Sequence, residues 1–308
     1  MTRIPMVSIG LPVYNGERYL EQALDSILAQ TFTDFEVIIS DNASTDRTRE
    51  ICLAYTEADH RVRYVRNERN LGAAENYNRL VWLANGRYFK WAAHDDVCAP
   101  GFLARCIEVM EHDDSVVLCY PKSTFIDENG EHIAEFVEDS DYSHGRPHER
   151  LRTWLFGKPE SWCNPVFGLI RTNTLRKTGL IGKYNASDSV LMGELALRGK
   201  IQRIEENLFY RRDHPKRSAL AHRGNEARAR WFDTSKKRRL ICLPRWRWCW
   251  EYIKTIARVP IGFREKLRAL GVLMKWGNKV RSNLKQDLIA AAKMLVRGPT
   301  SSASSVGP

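Results

Sequence analysis

Apolar and polar positions along the first 120 residues follow two periods in turn, and the alternation predicts strands and helices one after another. Met6–Val13 is a short, mainly apolar run closed by Asn15-Gly16, the pattern of a buried strand ending in a turn. Glu17–Gln30 then sets Tyr19, Leu20, Ala23, Leu24, Ile27 and Leu28 on one helical face. Phe35–Ser40 predicts a second strand, stopped by Asp41-Asn42. Ser44 or Thr45 stands where a helix running to about Tyr55 needs its cap. Val62–Val65 reads as a third strand, and the loop Arg66–Asn70 leads into a helix with Leu71, Ala74, Tyr77, Leu80 and Val81 inward. Tyr88–Ala92 is a fourth strand, ending at His94-Asp95-Asp96. Pro100 opens another helix, and Val116–Tyr120 is a fifth strand. Strands separated by helices of this length imply parallel pairing through right-handed crossovers. The expected architecture is a doubly wound, mostly parallel α/β sheet, whose ligands sit outside the carboxyl ends of the strands.

The pattern changes after Tyr120. Ser123–Ile126 and His132–Phe136 flank Asp127-Glu128-Asn129-Gly130 as a hairpin. Residues 138–150 are polar and acidic and read as a mobile loop. Val166–Ile170 predicts a strand, Ser187–Arg198 a helix, and Gln202–Glu205 and Leu208–Arg211 two short strands. Beyond about Ala221 the chain is helical and basic, with Trp231, Trp246, Trp248, Trp250 and Trp276 interleaved. Pro299–Pro308, rich in Ser, Gly and Pro, reads as a disordered tail.

Charge sharpens this division. The 308 residues carry a net charge of +11, which invites a nucleic-acid reading until its placement is counted. Residues 1–210 hold 24 Lys+Arg against 31 Asp+Glu, and residues 211–308 hold 24 against 6. An acidic body with a basic tail is not a uniformly basic nucleic-acid binder, and no nucleic-acid partner is expected. Cations interleaved with Trp suit an anionic membrane surface met through residues 236–297, best in Arg238-Arg239 and Leu240–Trp250. The alternative is a helical appendage packed on the body with its cations facing the acids there. Seven Cys without a C-x-x-C pair point to buried thiols in a reducing compartment. Met1 to Tyr14 lacks a signal-peptide pattern, and no run reaches the roughly 18 apolar residues a spanning helix needs. The expected location is the cytoplasm, peripheral to the cytoplasmic membrane face.

Candidate chemistry gathers at strand ends. Pro12-Val13-Tyr14-Asn15, Asp41 to Asp46, Asn67 to Asn70 and His94-Asp95-Asp96 each follow one of the first four strands, which would put them on one rim. Turn formation and capping explain any one of these loops alone. Adjacent carboxylates at Asp95-Asp96 repel unless a cation sits beside them, and hard oxygen ligands suit Mg²⁺ or Mn²⁺. A helix N-terminus favouring acids before Pro100 is the competing explanation. G-x-G-x-x-G, G-x-x-x-x-G-K-[ST] and H-E-x-x-H are all missing, so nicotinamide, P-loop and zincin chemistry are unsupported.

Val7-Ser8-Ile9-Gly10-Leu11-Pro12-Val13-Tyr14-Asn15-Gly16, Ser26-Ile27-Leu28-Ala29-Gln30-Thr31-Phe32 and Glu36-Val37-Ile38-Ile39-Ser40-Asp41-Asn42-Ala43-Ser44-Thr45-Asp46 resemble family 2 glycosyltransferases. Asn70-Leu71-Gly72 and the acidic pair continue the match in order over roughly residues 5–215. The resemblance implies the GT-A fold, a doubly wound and mostly parallel (Rossmann-like) sheet, here with a helical basic C-terminal extension. Residues 1–120 would be the nucleotide-sugar-binding half, 121–220 the acceptor-side half, 221–298 the extension and 299–308 the tail. It implies inverting transfer from a nucleotide-diphosphate sugar, most often a UDP-sugar, to a glycan or lipid-linked acceptor in surface-glycan synthesis, with Mn²⁺ or Mg²⁺. By resemblance Pro12, Tyr14 and Glu17 frame the base and ribose, and Asp41 contacts the base. Asn70 and Gly72 lie against the nucleotide, and Arg69 offers a donor to phosphate. The family's D-x-D motif aligns with Ala93, His94 and Asp95, so its first carboxylate is missing. Asp95 keeps the metal-ligand place, with Asp96 supporting. Asp188 matches the position of the acceptor-side base, with Glu194 as runner-up. Arg211 or Arg212 would reach the diphosphate and His214 the metal, while Trp162 would stack on the acceptor sugar. The missing Asp at Ala93 keeps open a non-catalytic nucleotide- or sugar-binding module on the same fold.

Overall fold

A computed structural model describes residues 4–135, 140, 142–157, 164–217, 221–222, 224–235 and 243–296. The strands are β1 (Val7–Val13), β2 (Phe35–Asp41), β3 (Val62–Arg66), β4 (Tyr88–Trp91), β5 (Val97–Cys98), β6 (Val116–Ile126), β7 (His132–Glu135), β8 (Leu169–Arg171) and β9 (Lys200–Arg212). The helices are α1 (Leu20–Leu28), α2 (Thr48–Ala58), α3 (Ala73–Leu83), α4 (Phe102–His112), α5 (Pro147–Phe156), α6 (Thr172–Leu175), α7 (Ser187–Arg198), α8 (Asn225–Phe232), α9 (Pro244–Arg258), α10 (Phe263–Lys279) and α11 (Arg281–Val296).

One sheet runs in the order β3-β2-β1-β4-β8-β6-β9-β5, with β7 paired to β6. From β3 to β4 every pairing is parallel, as the alternating pattern predicts, so the carboxyl ends of four strands share one rim. Beyond β4 the sheet is mixed: β8 is antiparallel to β4 and β6, while β6 and β9 are parallel. All seven residues of β1 are buried, because helices cover both faces of the sheet. Period-2 alternation sends Val37 and Ile39 into the core beneath α1 and α4, and Ile38 into the core with α3 and α7.

Several boundaries differ from the pattern reading. The fifth strand does not stop at Tyr120 but runs to Ile126, passing Pro121 with a register shift that accommodates the missing N–H. Gln202–Glu205 and Leu208–Arg211 are one strand, β9, bulged where it meets that same region. Val166–Ile170 is divided into a 3₁₀ turn, Asn164–Phe167, and the short β8. Part of the expected loop at 138–150 is helical from Pro147, which sits at a helix start where its lost N–H costs nothing. Neither Ser44 nor Thr45 caps α2. Ser44 Oγ accepts the Asn15 N–H, and Asp46 Oδ1 accepts the Thr48 N–H instead.

The basic extension packs on the body through one face. Tyr252, Ile256, Val259, Val272, Leu273 and Trp276 close a third core with Leu151, Val190 and Leu197. Glu194 is the polar key to this junction and not a base in waiting. It is 1% exposed and receives Arg198, Arg258 and the Gly179 N–H, which occupies its acceptor sites. Glu194→Ala removes the acceptor of buried Arg198 and of the partly exposed Arg258 and should cost roughly 1–3 kcal/mol, read as a lowered denaturant midpoint. Unchanged stability would remove this clamp. Phe136, residues 236–242 with Arg238-Arg239, and the 299–308 tail lie outside the described residues.

Candidate active site

The rim of parallel strand ends opens on a cleft of about 740 Å³, within the usual size of a ligand pocket. Its walls come from the β1 end (Pro12 to Tyr19), Asn42 and Asp46, the start of α3 (Asn70, Ala73, Asn76, Tyr77), the acidic loop (Ala93 to Asp96) and the segment after β9. Pro12 and Val13 pair with Ser40 and Asp41, so the first two loops are held in register by the sheet itself.

The acidic loop is held by β9. The short β5 pairs with Phe209 and Tyr210, which brings Arg212 over the loop. The Arg212 N–H donates to Asp96 Oδ1 at 2.9 Å and its Nε to the Asp95 carbonyl at 3.0 Å. Its remaining donors reach the Asp127 and Glu128 carbonyls and Gln22. Arg212 is thus committed to positioning. Arg211 lines the cleft and donates to Asn164. Three residues further on, His214 Nε2 meets Asp95 Oδ2 at 2.9 Å. Burial alone would raise the Asp95 carboxyl, but His94 and the His214 hydrogen bond outweigh it and hold Asp95 below the usual range. Burial and the Asp95 charge push Asp96 upward. His94 lines the same wall, its ring seated so close to Gly16 that a Cβ there would lie 2.7 Å from His94 Cδ2.

These residues fit a divalent cation of the kind the resemblance implies. Asp95 and His214 supply one carboxylate and one imidazole, with Asp96 beside them. Among the described residues no group of three or more His, Cys, Asp or Glu is placed to hold a metal ion by itself. Mg²⁺ is usually bound by one or two carboxylates together with substrate phosphates, which Asp95 and Asp96 would allow. Two buried polar atoms of the walls, Tyr19 Oη and His214 Nδ1, have no protein partner among the described residues, as expected of a surface built for a polar ligand.

The remaining predicted residues divide. Tyr14 is 47% exposed in the cleft mouth, and Glu17 lines it while accepting the Arg47 N–H. Asn70 lines it too, fixed by Asn42 Nδ2 and by the Gly72 N–H. Asp41 is fully buried below the wall and is occupied by Tyr64, Arg66 and the Ser44 N–H. Asn42 faces the cleft in its place. Arg69 is exposed and outside the walls. Gly72 serves packing: at φ +85° a Cβ would come within 2.8 Å of the Phe232 carbonyl of α8. Gly72→Ala should therefore destabilise by roughly 1–3 kcal/mol, seen as a lower melting temperature; an unchanged melt would contradict this contact. Asp188 begins α7, half-buried, with Oδ1 accepting the Ser189 N–H, and is not among the wall residues. Tyr77, which lines the cleft, has its hydroxyl pushed up by burial and then by the charges of Asp95, Asp96 and Asp188. Trp162 lies outside the described residues.

Part of the wall escaped sequence reasoning. Lys216, Arg217, His222, Arg230, Trp231 and Thr234 all line the cleft, and Thr234 Oγ1 donates to the Asn70 carbonyl. His222 stacks on Trp231 at 5.8 Å between ring centroids. Asn76 was also missed. It bridges Ser40 and Asn67 beneath the rim and was legible only as a polar residue among the inward positions of α3.

A family model for glycosyl transferase family 2 matches residues 8–184, more than half of the chain. The chain belongs to glycosyl transferase family 2. An uncharacterized glycosyltransferase of Methanocaldococcus jannaschii is 36% identical over 134 residues, 43% of this chain and 46% of that one. The chain spans about half the length of that relative and of two uncharacterized glycosyltransferases of Rickettsia at 32% and 33% identity. S. aureus TarS 1–349 in complex with UDP-GlcNAc superimposes with a TM-score of 0.62 at 17% identity, over 90% of this chain and 72% of that one. The mannosyltransferase PcManGT of Pyrobaculum calidifontis, in complex with GDP-Man and Mn²⁺, gives 0.55 at 18% identity, over 99% and 77%. These likenesses establish the GT-A fold that the resemblance implied, with the helical extension included.

Proposed function

We propose that this family 2 chain is an inverting, metal-dependent glycosyltransferase that moves a sugar from a nucleotide-diphosphate sugar, a UDP-sugar first, to a hydroxyl of a glycan or lipid-linked acceptor. The observation that carries the reading is the Asp95–His214 pair at the floor of a cleft bounded by four strand ends. Similar folds hold UDP-GlcNAc, and GDP-Man with Mn²⁺, which supports the donor class and the metal. Tyr14 and Glu17 flank the base and ribose, with Asn42 and Asn70 beside them, and Arg211, Lys216, Arg217 and Arg230 receive the diphosphate. Asp95 and His214 would hold Mn²⁺ or Mg²⁺, which neutralises the charge developing on the leaving diphosphate. Displacement is in line at the anomeric carbon: the acceptor oxygen forms the new bond as the bond to the diphosphate oxygen breaks. The Asp188 carboxylate takes the acceptor's hydroxyl proton. The product is a surface glycan made at the cytoplasmic membrane face, a setting supported by the cationic extension. Among the described residues no helix is long and apolar enough to cross a membrane.

Incubation with a panel of UDP-, GDP- and dTDP-sugars and Mn²⁺ should release nucleoside diphosphate from one donor. Ala93 in place of the family's first acid favours one rival, a binding module without turnover. Tight nucleotide-sugar binding with no hydrolysis and no transfer would establish that rival. Neither binding nor hydrolysis of any donor would overturn both.

A further inference from the structure

Helices α9 and α10 each bury one face against the body and leave a second apolar stripe uncovered. In α9, Tyr252, Thr255 and Ile256 are buried, while Trp250 (57% exposed) and Ile253 (41%) lie on the outer side, beside Trp246, whose Nε1 donates to the Leu284 carbonyl of α11. In α10, Ala269, Val272, Leu273 and Trp276 are buried, while Phe263 (74%), Leu267 (52%) and Met274 (71%) form the outer stripe. A helix that needs only one apolar face to join a core has no use for the second in water. Cations border these stripes. Arg264, Arg268 and Lys275 are exposed and lie on one flank of the α10 stripe by helical position, Arg268 paired with Glu265, and Arg247 and Lys254 lie beside the α9 stripe on either side of Glu251, which both meet. Residues 243–296 hold twelve Lys+Arg against three acids. Aromatic and aliphatic groups bordered by cations match the two layers of an anionic lipid surface: acyl boundary for the stripe, headgroups for the flank.

We propose that the outer stripes of α9 and α10 form an interfacial docking face for an anionic bilayer, lying in its plane without crossing it. This face deepens the transferase reading and rests on it only for the purpose of docking, since it adjoins the candidate base. The inner side of α9 holds the start of α7, with Trp248 Nε1 donating to the Asn185 carbonyl at 2.8 Å and Tyr252 Oη to the Ser189 carbonyl at 3.0 Å. A docked α9 would therefore set Asp188 at a fixed height above the surface, where a membrane-borne acceptor hydroxyl could reach it.

Flotation of the full chain with vesicles of phosphatidylcholine alone, or mixed with phosphatidylglycerol, tests the face. Binding should require phosphatidylglycerol and weaken with salt. Phe263→Ser combined with Met274→Ser alters only side chains that are mostly in solvent and should lower partitioning by about tenfold or more, as burial of two such groups implies. Arg264→Gln, Arg268→Gln and Lys275→Gln together should lower it by on the order of a hundredfold, at about fivefold per cation. Equal binding to neutral and anionic vesicles, or wild-type partitioning by both variants, would overturn the proposal. So would a self-associated chain that the Phe263/Met274 variant dissociates while no vesicle binds. Donor hydrolysis in vesicle-free buffer, which both variants should keep, separates failure of the docking face from failure of the transferase reading.

Discussion

Asp95→Asn should abolish sugar transfer and remove the Mn²⁺ dependence of UDP binding. The substitution preserves shape, and an amide can still hydrogen bond to His214, so what it removes is charge. That charge is dependable in the native protein, because His94 and His214 hold the Asp95 carboxyl below its usual range despite burial. A cation held by Asp95 and His214 would lose its one strongly ionised protein ligand, and the stabilisation it would lend the leaving group is worth several kcal/mol, hence a fall of about 10³-fold or more in rate. Calorimetry of UDP binding with and without Mn²⁺ is the direct check. Affinity for UDP in Mn²⁺ equal to that of the unaltered protein would remove Asp95 from the metal site. His214→Ala should shift the same binding curve in the same direction, since it supplies the other donor at the 2.9 Å contact.

The strand-end part of this cleft was largely legible in the chain because local rules and tertiary structure agree there. Four parallel strands with polar ends can only place those ends on one rim, so Pro12, Tyr14, Asn70, His94 and Asp95 follow from pattern and resemblance alone. Asp41 shows the limit. A strand-end Asp reads as a ligand group, yet its oxygens are taken by Tyr64, Arg66 and a backbone N–H, contacts that depend on the neighbouring strand. Gly72 is similar, since the Phe232 carbonyl that demands a glycine arrives from 160 residues downstream. Trp231 and the cations around it were hidden for another reason. The charge count assigned everything after residue 210 to one basic tail, but the tail is two things. Lys216, Arg217, His222, Arg230, Trp231 and Thr234 line the cleft, whereas α9 and α10 join the third core away from it. Net charge has no way to mark the boundary between them. Glu194 fails as a base for a reason no helical wheel reveals, because Arg258 reaches it from a different helix.

Asp188→Asn should reduce transfer by about 10³-fold, within the usual worth of a positioned general base, while donor binding stays intact. The separation follows from placement. Asp188 stands at the start of α7, outside the cleft wall proposed to receive the nucleotide. A group near the reacting end and away from the nucleotide should leave UDP affinity alone. Its position is set with care: Ala186 adopts φ +57° ahead of the helix, and Trp154, Trp248 and Tyr252 donate to the Ser189 and Asn185 carbonyls on either side. Strain accepted at such a turn and braced by three donors is expected where a side chain must be aimed. Asp188→Glu moves the carboxylate by one methylene and should recover part of the lost rate, whereas a structural acid at a helix start would be indifferent to that exchange. The readout is kcat with a saturating acceptor, alongside calorimetric UDP affinity. Near-normal turnover in Asp188→Asn would take Asp188 out of the mechanism, and lost UDP affinity would move it to the donor side.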